Sequence, residues 1–304
     1  MLRSMRPAPA RRKLSVRRAE RRFILAGMIP AVIFYLVFRF YPVGYAFYMS
    51  LHDWQLLGKT PVFTGFGNYA RLLADPLFAK VIGNTFYFAI LTTLLTTVIS
   101  LSTAIILNPI GRGSTVFRLI YFLPVMTATI ATATIWLWLY QARFGLFNQV
   151  LQLVGLPRIP WLISSTWAMP SIILMSVWGG IGFNVVIFLA GLRGIPREYY
   201  EAAAMDGASS PQMARRITVP LLSPVIAFVL ATSLIGGFNV FQQVYLMTRG
   251  GPQDSTRVLA LHIYEYAFLR LFMGQAAAMA FVLFAIVITM TVLQSRIQRV
   301  DWEL

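Results

Sequence analysis

The chain has no cysteine in 304 residues, which excludes disulfides, thiolate metal sites and cysteine nucleophiles. Histidine is almost as scarce, with only His52 and His262, far apart in the sequence. Two histidines so far apart argue against a histidine-based metal centre or catalytic triad and read better as loop or interface residues, and no catalytic or metal-binding residue is assigned. Charge is also sparse. Charged residues make up 12% of the chain, whereas a soluble domain of this length carries about 25%. Most of the molecular surface must therefore face something other than water.

What is present instead is apolar sequence in long blocks. Hydrophobic residues make up 58% of the chain, and the mean hydropathy is +0.69. A membrane helix needs ~20 consecutive apolar residues, and six segments meet that requirement: about 23–49, 84–107, 117–140, 167–192, 220–241 and 275–293. Only Arg39 and Arg118 are charged within them, Arg39 towards one end of the first segment and Arg118 at the start of the third, where a long side chain reaches the interface. Trp136, Trp138, Tyr140, Trp161 and Trp167 gather at span ends, the position of an interfacial aromatic belt. The expected fold is all-α, a polytopic bundle of about six transmembrane helices.

The net charge of +16 could indicate nucleic acid, but its distribution indicates a membrane. Nine of the 26 basic residues fall in residues 1–22, and most of the rest lie at the ends of apolar blocks. With the N-terminus inside, the inner segments hold 17 Lys and Arg and the outer loops 8. The positive-inside rule then places both termini in the cytoplasm. Residues 1–22 are expected to be a basic cytosolic tail preceding a retained first helix, because the following apolar block is too long for a signal peptide and lacks a small-residue cleavage pair. An organelle presequence, also Arg-rich and acid-poor, stays open there.

One inner loop, 193–220, is too patterned to be a simple connection. Pro196 suits a first helical turn, Glu198 and Glu201 suit the positive end of the helix dipole, and Ala202–Ala204 favours helix. Gly207 suits a left-handed C-cap. Ser210 is expected to cap a second short helix with Pro211 in its first turn. The loop thus reads as a helical hairpin with Asp206 and Gly207 at its elbow. Its charges exclude it from lipid, and docking on a protein partner is one of several uses for such a hairpin. Gly58-Lys59-Thr60 superficially resembles a P-loop, but position 53, which would need glycine, is Asp53.

Glu201-Ala-Ala, Gly207, Ile217 and Pro220 resemble the EAA motif of ABC importer permeases, with Val219 where the consensus has leucine. Tyr41-Pro42, Gly67-Asn68-Tyr69, Asn84-Thr85, Phe122-Leu-Pro124, Gly182-Phe183-Asn184 and Thr248-Arg-Gly-Gly-Pro252 are similar to the MalF/UgpA carbohydrate branch along nearly the whole chain. The resemblance implies a type I (MetI-like) permease core over 78–300, preceded by a first span at 23–49 and an outer loop at 50–77. It also implies a multi-pass protein of a bacterial or archaeal inner membrane. The implied partners are a second permease subunit, two ATP-binding subunits that hold ATP and Mg²⁺, and an extracytoplasmic sugar-binding protein. By the same resemblance, Glu201, Ala202, Ala203, Asp206 and Gly207 contact the ATPase, and this chain carries no cofactor of its own.

A carbohydrate path needs hydrogen-bonding groups beside aromatic faces within the bundle, and polar side chains inside spans usually face such a cavity. Phe183 and Asn184 in the fourth span meet that description, as do Ser233, Asn239, Phe241 and Gln242 in and after the fifth. Small residues and Ser or Asn can equally serve helix packing. By the resemblance, Ser233 matches a sugar-contacting position, whereas Gly236, Gly237 and Val240 depart from the larger or polar residues of the maltose type. An intramembrane enzyme or an ion-coupled transporter would need ionisable residues inside the spans, and the last five spans have no Asp, Glu, Lys, Arg or His beyond Arg118 at the start of the third.

Overall fold

A computed structural model describes residues 11–57, 60–108 and 121–297, with the side chains of 11–22 and 297 excepted. Residues 1–10 of the basic tail, Gly58 and Lys59, the start of the expected third span and the C-terminal residues from 298 lie outside the described residues.

The first helix, α1, runs Arg11–Tyr35 and continues through a π turn at Leu36–Phe40 into Tyr41–Ser50. It therefore begins inside the segment expected to be tail. Its apolar part, Phe23–Ser50, is long enough to cross a bilayer. The π turn sits just before Pro42, whose missing N–H cannot close the regular ladder. The large apolar side chains from Phe23 to Phe40 are exposed, Phe23 at 83%, as expected of a surface solvated by lipid rather than water.

Past Ser50, a two-residue antiparallel pair joins β1 (His52–Asp53) to β2 (Val62–Phe63). Asn68, in the short helix α2 (Gly67–Ala74), donates to the carbonyls of Ser50 and His52, both at 2.8 Å. The neighbouring Tyr69 hydroxyl lies 2.8 Å from Ser50 Oγ. The Gly-Asn-Tyr motif is therefore a fastener for the end of the first span.

The longest apolar helix, α3 (Pro76–Leu107), is capped by Asp75, which accepts from the Leu77 N–H at 2.9 Å. It starts well before the expected boundary at residue 84. The third span is broken. Its described part is helical over 121–126 (α4), turns at Thr127 and Ala128, and resumes as α5 (Thr129–Leu139). Pro124 explains the break. Its carbonyl accepts from the Thr127 N–H at 3.3 Å and from Thr127 Oγ1 at 2.7 Å, closing a turn instead of a helix. A short surface helix, α6 (Leu146–Leu153), precedes α7 (Ala168–Arg193), the fourth span.

The 193–220 loop holds α8 (Glu198–Met205) and α9, which starts at Ser210–Met213 and passes through a π turn to Val219–Leu221. The segment Ser210–Leu221 then meets α10 (Ser223–Phe238) at 71°. The fifth span is shorter than expected: Asn239, Val240 and Phe241 leave the helix, and the chain turns into α11 (Gln242–Met247). After α12 (Leu259–Tyr264, extended by a π turn at Glu265–Leu269), α13 (Met273–Ile297) forms the last span. In all, the described residues contain four long apolar helices and one bent pair that together can cross a membrane.

α3 is the centre of the bundle and packs along α7 and α10. At one end, Asn84 Nδ2 donates to the carbonyls of Asp254 and Arg257 at 2.8 and 3.0 Å. Beside it, Thr85 Oγ1 accepts from the Leu259 N–H at 2.8 Å. The Asn-Thr pair thus latches α3 to the Gly-Gly-Pro loop after α11. At the other end, Ile105, Asn108 and Leu192 meet the base of the hairpin at Tyr200 and Thr218. The 193–220 loop and the latch loop are consequently at opposite ends of the bundle.

Candidate functional sites at the hairpin and in the bundle

The hairpin is built as a stiff projection. Pro196 stands two residues before α8 rather than inside its first turn, and the Arg197 carbonyl accepts from the N–H groups of Tyr200 and Glu201 at 2.9 and 3.0 Å. α8 ends in a Schellman motif: the Gly207 N–H donates to the Ala204 carbonyl at 3.1 Å and the Ala208 N–H to the Ala203 carbonyl at 2.9 Å. Gly207 takes φ +76°, with open space where a Cβ would stand. The demand at this position is thus conformational and not steric.

The second limb is capped one residue earlier than the sequence suggested. Ser209, not Ser210, is the N-cap, and Gln212 Oε1 accepts from the Ser209 N–H at 2.8 Å and from its hydroxyl at 3.0 Å. The two limbs are joined near their base, where Tyr200 and Thr218 approach through their hydroxyls at 3.0 Å. At the tip, Glu201, Ala202, Asp206 and Gly207 are exposed and Ala203 is half-buried. Met205 is 86% exposed beside them. An unbranched, adaptable side chain at a projecting tip suits contact with a protein groove. Sequence reading passed over it because methionine carries no positional signal within an alanine-rich helix.

A second site lies within the bundle. A cavity of about 600 Å³ is walled by α3, α7, α10 and the turn into α11, a volume within the range of small-molecule sites, ~300–1,000 Å³. It brings together Phe183, Asn184, Ser233, Asn239, Phe241 and Gln242. Asn184 is buried, and its Nδ2 donates to Ser233 Oγ at 3.2 Å, joining α7 to α10. Phe183 is exposed. Asn239 is exposed too, although its Nδ2 is held by the Ile235 carbonyl at 2.8 Å. Phe241 stacks on Tyr245, with ring centroids 5.4 Å apart. Asn239 and Phe241, expected within the fifth span, belong instead to the break after α10, and Gln242, expected just after that span, begins α11.

Two glycines let the walls close. A Cβ at Gly182 would collide with the Tyr121 carbonyl, and one at Gly237 would stand 2.9 Å from Ala89 Cα. These are backbone-to-backbone approaches that only glycine permits. α3 contributes a wall that sequence reasoning had left out: Phe88, Thr92, Thr93 and Thr96. The signal was present. Thr92, Thr93, Thr96, Thr97 and Ser100 recur at helical spacing in an otherwise apolar span, marking one polar face.

This arrangement of a projecting helical hairpin at one end and a polar cavity among apolar helices matches a known family. Residues 96–300 match the binding-protein-dependent transport system inner membrane component. The chain belongs to this family of ABC transporter permeases. The permease is 33% identical over 288 residues to the trehalose/maltose transport system permease protein MalF of Thermococcus litoralis, covering 94% of this chain and 96% of that one. It is 31% identical to the diacetylchitobiose uptake system permease protein NgcF of Streptomyces coelicolor, covering 97% and 89% of the two chains. The fold is that of a chain in the crystal structure of a bacterial alginate ABC transporter in complex with its alginate pentasaccharide-bound periplasmic protein. The TM-score is 0.80 at 23% identity, with 93% and 96% of the chains covered. The permease is a multi-pass membrane protein and a transport subunit rather than an enzyme.

Proposed function

We propose that this permease forms half of the path by which an ATP-driven importer moves a carbohydrate into the cell, and that its hairpin seats on an ATP-binding subunit. The observation that carries the reading is the bundle cavity. It collects amide, hydroxyl and aromatic groups in a span region that has no ionisable side chain. Such neutral donors and acceptors beside aromatic faces suit a polyhydroxylated, uncharged molecule. Relatives named for trehalose, maltose and diacetylchitobiose transport support the same class.

In this reading, Glu201, Ala202, Ala203, Asp206 and Gly207 form the ATPase contact, with Met205 at its apex. Both termini and the hairpin lie on the cytoplasmic side, as the excess of 17 basic residues over 8 favours. ATP and Mg²⁺ are held by two ATP-binding subunits. A second permease subunit closes the open side of the cavity, and a binding protein delivers the sugar from outside.

The test is uptake by cells carrying the permease with its partner subunits and binding protein, offered radiolabelled mono- and disaccharides, polyols and sn-glycerol 3-phosphate. The expected result is uptake of a sugar that requires ATP hydrolysis and fails with Gly207→Trp or Glu201→Lys. Uptake that persists without the ATPase, or an ATPase that still co-purifies with both variants, would overturn the reading.

A further inference from the structure

Thr92, Thr93 and Thr96 line the bundle cavity from α3. Thr93 and Thr96 are each 4% exposed, and the hydroxyls of Thr92, Thr93, Thr96 and the neighbouring Thr97 are shielded without a hydrogen-bond partner. A threonine in a helix has an easy remedy, which is to donate to the carbonyl four residues earlier. Thr85, Thr134, Thr232 and Thr291 all do so, at 2.7 to 2.9 Å. One turn beyond the ladder, Ser100 instead donates across to the Ile181 carbonyl of α7 at 3.2 Å. Both local solutions are therefore in use in this protein, and the ladder takes neither. Burying an unmet hydroxyl is costly, so a set of unmet hydroxyls on threonines of which three line one cavity marks a missing partner.

We infer that Thr92, Thr93 and Thr96 form a third recognition wall, whose hydroxyls hydrogen-bond a polyhydroxylated permeant as it occupies the cavity. The inference rests on the carbohydrate-path reading above and adds a helix, α3, to the recognising elements. The chemistry suits passage as well as binding. A hydroxyl both donates and accepts, and rotation about χ1 exchanges the places of a threonine's hydroxyl and methyl among a few staggered positions. The wall can thus present methyls to an empty cavity and hydroxyls to a sugar in any of several orientations. Thr96 shows the tight fit that such rotation must respect, because its Cγ2 is 3.1 Å from where a Cβ on Gly180 would stand.

The test compares uptake kinetics of the complete transporter, using the same radiolabelled panel, for Thr93→Val/Thr96→Val, Thr93→Ser/Thr96→Ser and Thr97→Val. Valine keeps the shape and removes the hydroxyl. The valine pair is expected to raise the half-saturating concentration about tenfold with normal assembly, in line with two lost hydrogen bonds. The serine pair is expected to stay within about twofold of wild type. Thr97→Val, equally buried but outside the cavity lining, is expected to change nothing. A valine pair with wild-type half-saturation, or Thr97→Val as damaging as the pair, overturns the inference and leaves the carbohydrate path standing. A wild-type transporter that takes up no member of the panel overturns both. If the valine pair fails to assemble, Thr93→Ala is compared with Thr93→Ser: a rise with alanine alone supports the wall, and equal values overturn it.

Discussion

The phenol of Tyr200 and the hydroxyl of Thr218 meet at 3.0 Å across the base of the hairpin. Thr218 is buried and Tyr200 half-buried, so the pair is shielded from competing water and fixes the angle between the limbs. Tyr200→Phe removes this bond while keeping the ring. A net hydrogen bond is worth about 1 kcal/mol, so the variant is expected to bind the ATP-binding subunit several-fold more weakly. Titration of detergent-solubilised permease with purified ATPase subunit measures this, and an unchanged affinity would show that the limbs are held elsewhere.

Gly207 offers a cleaner separation of backbone from bulk. Its φ of +76° costs an L-residue ~1–2 kcal/mol, yet nothing lies within 4 Å of a Cβ there. Asparagine tolerates this region and valine does not. In the same titration, Gly207→Asn is therefore expected to retain most ATPase binding and Gly207→Val to lose most of it. Equal losses would point to the space being filled by the partner.

Gly182 carries a steric demand instead. Because a Cβ would run into the Tyr121 carbonyl, Gly182→Ala has to push the 121–126 helix away from α7. A loss of ~1–3 kcal/mol is expected from overpacking, read as a lower unfolding midpoint in thermal denaturation of the solubilised protein. Gly179→Ala, with open space around it, is the matched control and should leave the midpoint unchanged.

His262 sets a pH dependence at the latch end. It is fully buried on α12, and burial first, then the nearby charges of Arg257 and Arg270, lower its pKa to about 4. The unfolded chain protonates histidine near ~6.5, so between pH 6.5 and 4 the unfolded state binds more protons. Stability contributed by neutral His262 is therefore present above pH 6.5 and falls as pH drops towards 4, by up to ~1.4 kcal/mol per unit. The unfolding midpoint should fall less steeply with acidification in His262→Asn than in the wild type. Parallel slopes would assign the acid sensitivity to other groups.

The sequence read well where one physical signal dominated. Long apolar runs located α1, α3, α7 and α13, and the Gly207 turn and the two-limbed hairpin followed from helix-ending chemistry. Asn184 and Ser233 were legible as cavity residues because polar side chains inside apolar spans have few places to point, and Phe183, Asn239, Phe241 and Gln242 followed as their aromatic and polar neighbours. It read poorly where tertiary geometry overrode local pattern. The break at Thr127 depends on the Pro124 carbonyl finding two local donors, and the early end of α10 at Phe238 is marked only by Asn239 in a run otherwise apolar through Phe241. The cap shifted from Ser210 to Ser209 because Gln212 reaches back, and either serine satisfies the local rule. The threonine face of α3 was overlooked because threonine in a membrane helix ordinarily signals nothing more than packing.

The 71° angle at Leu222 makes the second hairpin limb and the Ser233 wall two arms of one cranked rod. Leu222 itself is 1% exposed and wedged against Gly191 of α7, so the rod has a fulcrum. Ser233 lies eleven residues beyond it, ~16 Å along the helix at ~1.5 Å per residue. A torque applied by a partner at the tip would thus swing the cavity wall about that pivot without unwinding either arm. A small rotation in the aqueous phase would become a change of bore in the lipid phase.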